Sequence, residues 1–327
     1  MFTGTGLTRV GAIVALCVLS GATAGARQGG ESEDTTVQVF VVTGVPDIVV
    51  KNSTDGRTTV RGYDGAEVRV RTVREGSGAR DLDVRIHQDG NRITVEVRSM
   101  DRRWFSWGRS PRVHIEIEAP RRSDITARND DGRLTVSGFD GRLSLAVDDG
   151  DLRVADTSGE LTVRADDGEL DLRNVDEVID VRTDDGDVRA LEISGELTVV
   201  GDDGHLDLGQ VHGSVDVKID DGDLRLDGTL TFVRATADDG DLRIRVDAGS
   251  RMQEDWSIHT DDGSISVALP EEFAADLILR TDDGGIKVDQ PITMKGAMSR
   301  HQLSGQLNGG GRELRVTSDD GRILISR

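Results

Sequence analysis

The chain has 327 residues, of which 61 are acidic and 40 are basic, so its formal net charge is −21. A surface this negative repels nucleic acid and anionic membranes, and the composition therefore argues against both as partners. With 40 glycines, 3% aromatic residues and many short apolar alternations, the sequence indicates a β-protein with many tight turns.

Residues 1–26 are organised like a secretory signal peptide. Arg9 precedes an apolar run from Val10 to Leu19, and the small-residue triplets ATA (22–24) and AGA (24–26) that follow it suit signal peptidase. The apolar run is too short to be a stable membrane span. We therefore predict that the protein is exported, to the periplasm or the cell surface, and that the mature chain has no membrane span.

The only cysteine of the chain, Cys17, lies inside this segment. A lipoprotein signal needs a small residue directly before its cysteine, and Leu16 stands there instead, so we predict cleavage without lipidation. The mature chain would then contain no disulfide, and packing and backbone pairing would have to stabilise it.

Three segments follow the predicted signal peptide. Residues 27–34, RQGGESED, have the composition of a disordered linker. Residues 35–120 show less regular strand patterns and are predicted to form irregular N-terminal β coils and a cap, since the open end of a repeat array must be covered. Residues 121–327 contain the regular repeats.

An aromatic loop, RRWFSWGRSP, occupies residues 102–111 of the N-terminal part. Its cluster of Trp104, Phe105 and Trp107 has two interpretations. It is either an exposed patch that binds a glycan or a partner, or a loop that folds over the end of the core. We favour the second, because caps of repeat proteins need bulky apolar cover.

The triplet Asp-Asp-Gly recurs along the chain with a constant 18-residue period, which is typical of a repeat architecture. Its copies begin at Asp130, Asp148, Asp166, Asp184, Asp202, Asp220 and Asp238 and, with looser spacing, at Asp261, Asp282 and Asp319. Between triplets, apolar residues stand two apart, such as Leu152 and Val154 and then Leu161 and Val163. This alternation predicts two short strands in each unit, each with one buried side.

The repeat fits either an antiparallel meander of hairpins or a parallel β-solenoid with 18-residue coils. In a solenoid, positions 18 apart are neighbours on adjacent strands, about 4.8 Å apart. One outward position alternates in sign along the series Arg153, Asp171, Arg189, Asp207 and Arg225, before Arg243 breaks the pattern. Alternation stabilises only if these residues are adjacent. We therefore predict an all-β, single-domain parallel β-solenoid with 18-residue, two-strand coils.

The triplets are predicted to form the corners, with Gly supplying a positive φ and Asp accepting nearby backbone N–H groups. Stacked corners also form ladders of carboxylates, in which neighbours repel by roughly 1 kcal/mol per pair in water. Calcium would relieve this repulsion, so a calcium-binding repeat module is an alternative function. The turns read DDGDL and SGELT, however, and lack the GGxGxD motif of calcium β-rolls.

We predict no catalytic, cofactor-binding or metal-binding residues. The six histidines are scattered without metal-ligand spacing, and no GxSxG motif is present. Paired carboxylates cleave glycosidic bonds in other proteins. A uniform ladder nevertheless lacks the single distinctive pocket of an active site. A polysaccharide-processing enzyme is therefore the least favoured alternative.

Several motifs carry a family resemblance: a strand end with Ile115, Ile117 and Pro120, units of the form DDGDLRV…SGELTVR, and the closing LNGGG…LRVTSDDGRI. From Val37 onward, the chain resembles the bacterial "putative adhesin" family of β-strand-repeat proteins, whose function is unknown. The resemblance implies an exported β-solenoid and supplies no catalytic residues. We expect a non-enzymatic adhesin or cell-envelope scaffold that binds an envelope protein or glycan.

Overall fold

The computed structural model describes residues 34–76, 78–98, 111–295 and 299–327. The predicted signal peptide lies outside the described residues, as do residues 27–33 of the predicted linker. Residues 102–110 of the aromatic loop also lie outside them, so neither interpretation of that loop is tested.

Within the described residues the chain forms 24 β-strands and one short 3-10 helix, Ala79–Asp81. The strands are β1 (Asp34–Val41), β2 (Asp47–Asn52), β3 (Thr58–Tyr63), β4 (Glu67–Glu75), β5 (Asp83–Asp89), β6 (Arg92–Arg98), β7 (Arg112–Pro120), β8 (Asp124–Asp131), β9 (Leu134–Ser137), β10 (Leu143–Asp149), β11 (Leu152–Asp167), β12 (Leu170–Asp185), β13 (Val188–Asp203), β14 (Leu206–Asp221), β15 (Leu224–Asp239), β16 (Leu242–Val246), β17 (Trp256–Asp262), β18 (Ile265–Ala268), β19 (Ala275–Asp283), β20 (Ile286–Val288), β21 (Thr293–Met294), β22 (Gln302–Leu307), β23 (Glu313–Asp320) and β24 (Ile323–Ser326).

The central strands β11 to β15 each run around one complete coil. They pair in parallel with an 18-residue offset, so that Leu152 lies beside Leu170 and Leu161 beside Ile179. Together the strands belong to one parallel sheet with antiparallel additions at its ends. The predicted all-β parallel solenoid with 18-residue coils is therefore confirmed.

Each coil has two flat sides that enclose the core. In β11, Leu152 and Val154 are buried on the first side and Leu161 and Val163 on the second. The strand bends between them, where Asp156 has a φ of 55° and Gly159 a φ of 108°. Two β-sides and two corners per coil follow directly from the apolar alternation.

The first and the last coil of the sequence are each inserted between two coils that are neighbours in the sequence. At the N-terminal end β2 pairs with both β6 and β8, while β3 pairs with both β7 and β9. At the other end β23 lies between β17 and β19, and β24 between β18 and β20. The order of coils in space therefore differs from their order in sequence.

Antiparallel strands cover most of the edges that remain. Strand β4 pairs with β7 and β1 with β4, while β5 pairs with β6. At the opposite end β22 pairs with β19 and β21 with β22. These strands protect edges on which another chain would otherwise pair.

One continuous apolar core runs through the stack. Its largest fully buried side chain is Trp256, whose ring centroid lies 5.4 Å from that of Phe273. In the described part of the chain, no helix has the length and apolarity needed to cross a membrane.

Candidate functional site

The side of the solenoid that contains Arg153 carries outward-pointing arginines, and we call it face A. Its outward positions on successive central coils are Arg153, Asp171, Arg189, Asp207, Arg225 and Arg243. Corner residues make both borders of this face acidic. They include Asp151, Glu169, Asp187, Asp223 and Asp241 on one border and Asp156, Glu160, Asp176, Glu177, Glu192 and Glu196 on the other. The negative charge of the chain is thus concentrated at the corners.

Face A ends, toward the N-terminal coils, in a concave groove of about 540 Å³. We call it the arginine groove, and its six arginines are Arg57, Arg61, Arg69, Arg71, Arg133 and Arg153. Thr59, Thr135, Glu116 and Glu118 also line it. Cations thus outnumber carboxylates in the groove, although the chain as a whole is strongly acidic.

The inserted N-terminal coil creates this cluster. Because β3 lies between β7 and β9, Thr59 is placed beside Glu116 on one edge and beside Thr135 on the other. Strand β4 adds Arg69 and Arg71 from the far side of β7. Arginines that are distant in sequence therefore meet on neighbouring strands.

Ion pairs neutralise only half of the arginines in the groove. Arg71 pairs with Glu116 at 2.8 Å, Arg69 with Glu118 at 3.5 Å, and Arg133 with Asp151 at 2.9 Å. Within the described residues, the other three, which are Arg57, Arg61 and Arg153, form no ion pair. Each guanidinium has five N–H donors in a rigid planar arrangement that matches carboxylate or phosphate oxygens. The groove is therefore suited to an anion.

His114 extends the groove toward its border but is already hydrogen-bonded. Its Nδ1 accepts the backbone N–H of Arg57 at 2.8 Å, and its Nε2 lies 3.2 Å from Glu75. Accepting at Nδ1 leaves the proton on Nε2, which donates it to the carboxylate. His205 and His212, by contrast, are exposed near the corners of one coil.

A second, shallower depression of about 330 Å³ lies farther along face A. Arg225, Arg243 and Arg245 line it together with Asp227. Arg243 pairs with Asp241 at 2.6 Å. Face A thus has a basic concavity near each end of its regular part.

The acidic corners form the predicted ladders. The second aspartates of successive triplets pair in register, as in Asp185 with Asp203 and Asp203 with Asp221. Partial desolvation, and then the neighbouring aspartates, raise the pKa of Asp131, Asp203 and Asp239 above the ordinary value. These carboxylates are therefore destabilising in their ionised form.

The corner hydrogen bonds differ from the expectation. The carboxylate that accepts a backbone N–H is the one that follows the triplet: Asp187 binds the N–H of His205 and Asp223 that of Asp241, both at 2.9 Å. Several first triplet aspartates instead bind cations, as in Lys218 with Asp220 at 2.8 Å. The position after the glycine points toward the adjacent coil, whereas the triplet carboxylates point to solvent.

The glycine of each triplet is required mainly by close approach between coils. A Cβ on Gly150 would overlap the carbonyl oxygen of Gly132 on the preceding coil, and the same relation recurs along the corner. Gly222 has a φ of 149°, but Gly150 does not adopt a positive φ. The predicted positive φ therefore holds at some corners only, and the contact between stacked glycines applies at all of them.

Within the described residues, no group of three or more His, Cys, Asp or Glu side chains is arranged to hold a metal ion. Calcium binding at the corners stays an untested alternative, and the absence of a metal site stays a prediction. The sequence-based reasoning named the acidic corners as the strongest candidate and missed the arginine groove. The alternation VRVR at residues 68–71, with arginine at every second position, was the available signal.

Comparison with known proteins identifies the family. A family model described as Toastrack DUF4097 matches residues 45–326. Similar solved structures include a "putative cell adhesion protein" from Clostridium sporogenes, at 11% identity over 91% of this chain and 99% of that chain, with a TM-score of 0.23. Others are a "putative adhesin" from Bacteroides fragilis (11% identity, 90% and 98%, TM-score 0.35) and a "putative lipid binding protein" from Parabacteroides distasonis (11% identity, 90% and 97%, TM-score 0.35). No curated protein matches the chain. Since the family model spans most of its length, the chain belongs to the Toastrack DUF4097 family.

Proposed function

We propose that the protein is an exported, non-enzymatic adhesin-type module that binds a component of the cell envelope through face A. The observation that carries this proposal is the arginine groove, where three guanidinium groups without ion pairs in the described structure line a concave surface of an acidic chain. Binding sites are commonly concave and combine a few convergent polar groups.

The architecture suits repeated weak contacts. Parallel hydrogen bonding holds equivalent side chains at a fixed interval of about 4.8 Å along the stack. A ligand that touches several coils would gain avidity without any single strong contact. A rigid ladder of this kind is a scaffold for binding an extended partner.

The described lining of the groove favours binding over catalysis. It consists of six arginines, two threonines, two apolar residues and two glutamates that are paired with Arg69 and Arg71. A nucleophile hydrogen-bonded to a base, which covalent catalysis requires, is not among these side chains. The family description also names no reaction.

Capture on immobilised envelope fractions tests this function. The envelope fraction should retain much less of the variant R57E/R61E/R153E than of the wild type, because the groove becomes acidic. The variant R164E/R182E/R234E makes the same change in net charge on the opposite side of the solenoid and should be retained like the wild type. Equal retention of both variants would contradict a role for face A.

Export is tested separately by fractionation and by the mass of the mature protein. We expect a chain that begins at Gly25 or Arg27, after removal of the apolar segment. The substitution Val14→Arg interrupts the apolar run and should retain the full-length chain in the cytoplasm. An intact N-terminus in the exported fraction would contradict the signal peptide.

A further inference from the structure

Guanidinium groups recur along face A beyond the groove. Arg153, Arg189 and Arg225 occupy the same outward position on alternate coils. With a coil spacing of about 4.8 Å, these groups stand roughly 10 Å apart along the axis of the solenoid. The arginine groove therefore continues into a regular row of cations.

The two aspartates between these arginines differ in how far their charge is balanced. Asp171 pairs with Arg173 of its own strand at 2.8 Å, and its side chain is only 12% exposed. Asp207 is 55% exposed and lies 4.0 Å from Arg225, which itself belongs to the row. An anion that follows the row would therefore meet one carboxylate that is balanced by an arginine outside the row, and one that shares the charge of Arg225.

Both borders of the row are acidic, which limits the shape of a ligand. Asp151 and Asp156 of one coil are five residues apart, which corresponds to roughly 16 Å along an extended strand. A flat anionic membrane or a nucleic-acid duplex would press its charges against both borders and be repelled. A single slender chain that lies along the axis avoids them.

The charge density of the ligand is limited in the same way. A polymer with one carboxylate on each sugar has fewer charges per unit length than polyphosphate, because a sugar unit is longer than a phosphate unit, and the acidic borders repel it less. A planar carboxylate matches the two parallel N–H donors of a guanidinium group. Thr59 and Thr135 in the groove add hydroxyl groups that can exchange hydrogen bonds with sugar hydroxyls.

We propose that face A binds a linear acidic polysaccharide whose carboxylates lie on the arginine groove and on the row of Arg153, Arg189 and Arg225. This inference rests on the proposed function and specifies its ligand class. One acidic sugar occupies the groove, between Arg57, Arg61 and Arg153. The chain then runs along the solenoid axis, between the two acidic borders.

The test measures binding of an oligogalacturonate long enough to span the distance from Arg57 to Arg225. Methyl esterification of its carboxylates should weaken binding by at least about tenfold, because the guanidinium groups lose their charged acceptors. Raising the salt concentration should also weaken binding to the acidic polymer. Equal binding of the acidic and esterified polymers would overturn the proposal.

Matched variants locate the site. R57A/R61A/R153A should weaken binding at least about tenfold, while R164A/R182A/R234A, with the same change in net charge, should stay within about twofold of the wild type. Thermal melting checks that both variants are folded, and the esterified polymer tests the same chemistry without any variant. An equal loss in both variants would show that only net charge matters and would overturn the site.

Other outcomes separate the ligand class from the function. Binding to polyphosphate or to phosphatidylglycerol vesicles, without binding to oligogalacturonate, would overturn the acidic polysaccharide. If envelope capture still depended on Arg57, Arg61 and Arg153 in that case, the proposed function would stand with a different ligand. If envelope capture did not depend on these three arginines either, both the ligand class and the proposed function would be wrong.

Discussion

Arg153 and Asp171 are paired residues on the parallel strands β11 and β12. The same register places Asp171 beside Arg189 and Arg189 beside Asp207. The alternating charges of the sequence are therefore neighbours in space. Because the closest cation to Asp171 is Arg173, at 2.8 Å, the alternation chiefly avoids like-charge contacts and does not form an ion pair at every step.

This register predicts the effect of removing a coil. Deleting residues 170–187 removes one whole coil and would place Leu152 beside Val188, so the inward and outward positions would be kept. We expect a folded protein with a slightly lower melting temperature, since Arg153 would then face Arg189.

Deleting residues 170–186 is the matched control for this prediction. This deletion is one residue shorter than a coil, so it reverses which side chains point inward in one part of the stack, and we expect loss of the cooperative melting transition. Circular dichroism and thermal melting measure both effects. Equal stability of the two deletions would contradict an 18-residue coil.

The close contact at the corner predicts that replacing Gly222 destabilises the protein. A Cβ at this position would overlap the carbonyl oxygen of Gly204, and the φ of 149° is itself unfavourable for alanine. We expect G222A to lower the free energy of unfolding by about 1–3 kcal/mol. G285A, where nothing lies within 4 Å of an added Cβ, should change it by less than about 0.5 kcal/mol. Chemical denaturation of both variants decides the point.

Local periodicity was sufficient to predict the regular coils, because each coil contacts only its neighbours in sequence. Leu152 and Leu170 occupy equivalent positions in consecutive repeats and also lie side by side. The family resemblance rested on the same motifs and is confirmed by the match over residues 45–326. The break in alternation at Arg243 also has a local cause, since Asp241 binds that arginine at 2.6 Å.

The end coils could not be predicted in this way. Leu314 lies between Trp256 and Leu277, although it follows both in the sequence. Periodicity gives the distance between neighbours only when coils stack in sequence order, and insertion breaks that condition. The arginine groove depends on the equivalent insertion of β3 at the other end, so its residues could not be assembled from their spacing.

Melting with and without a chelator tests the calcium alternative. Several first triplet aspartates bind cationic side chains, as Asp148 binds Arg128 at 2.7 Å, and the second aspartates stand side by side on successive coils. We expect the same melting temperature in calcium and in chelator. If one calcium site were present, a free calcium concentration of a hundred times its dissociation constant would raise the free energy of unfolding by about 2.7 kcal/mol. A rise of several degrees with calcium would therefore contradict our interpretation of the corners.

Removing one carboxylate from the ladder should stabilise the protein near neutral pH. Partial desolvation, and then Asp185 and Asp221, raise the pKa of Asp203, so the folded state binds its proton more tightly than the unfolded state. The protonated carboxyl group therefore contributes stability at low pH, and this contribution is lost as pH rises from the ordinary aspartate pKa through the raised pKa. We expect D203N to raise the melting temperature at pH 7. The gain should disappear below the ordinary aspartate pKa of about 3.9.

Asp276 provides the opposite case and serves as the control. Hydrogen bonds from Gln306 at 2.6 Å and then from Lys295 at 3.0 Å lower the pKa of its carboxyl group. Its contribution to stability is present above the ordinary aspartate pKa and is lost as pH falls through the lowered pKa. D276N should therefore lower the melting temperature at pH 7. If the melting temperatures of D203N and D276N shifted in the same direction at pH 7, repulsion between the stacked aspartates would not explain the effect.

Two buried threonines just before triplets predict opposite responses to valine. The hydroxyl of Thr260 lies 3.2 Å from the carbonyl oxygen of Gly240, whereas the buried hydroxyl of Thr183 has no hydrogen-bond partner in the described structure. T260V leaves a corner carbonyl without this donor and should cost about 1 kcal/mol in the free energy of unfolding. T183V removes an unsatisfied hydroxyl and should be neutral or stabilising. Urea denaturation measures both, and a comparable loss in T183V would mean that its hydroxyl is hydrogen-bonded after all.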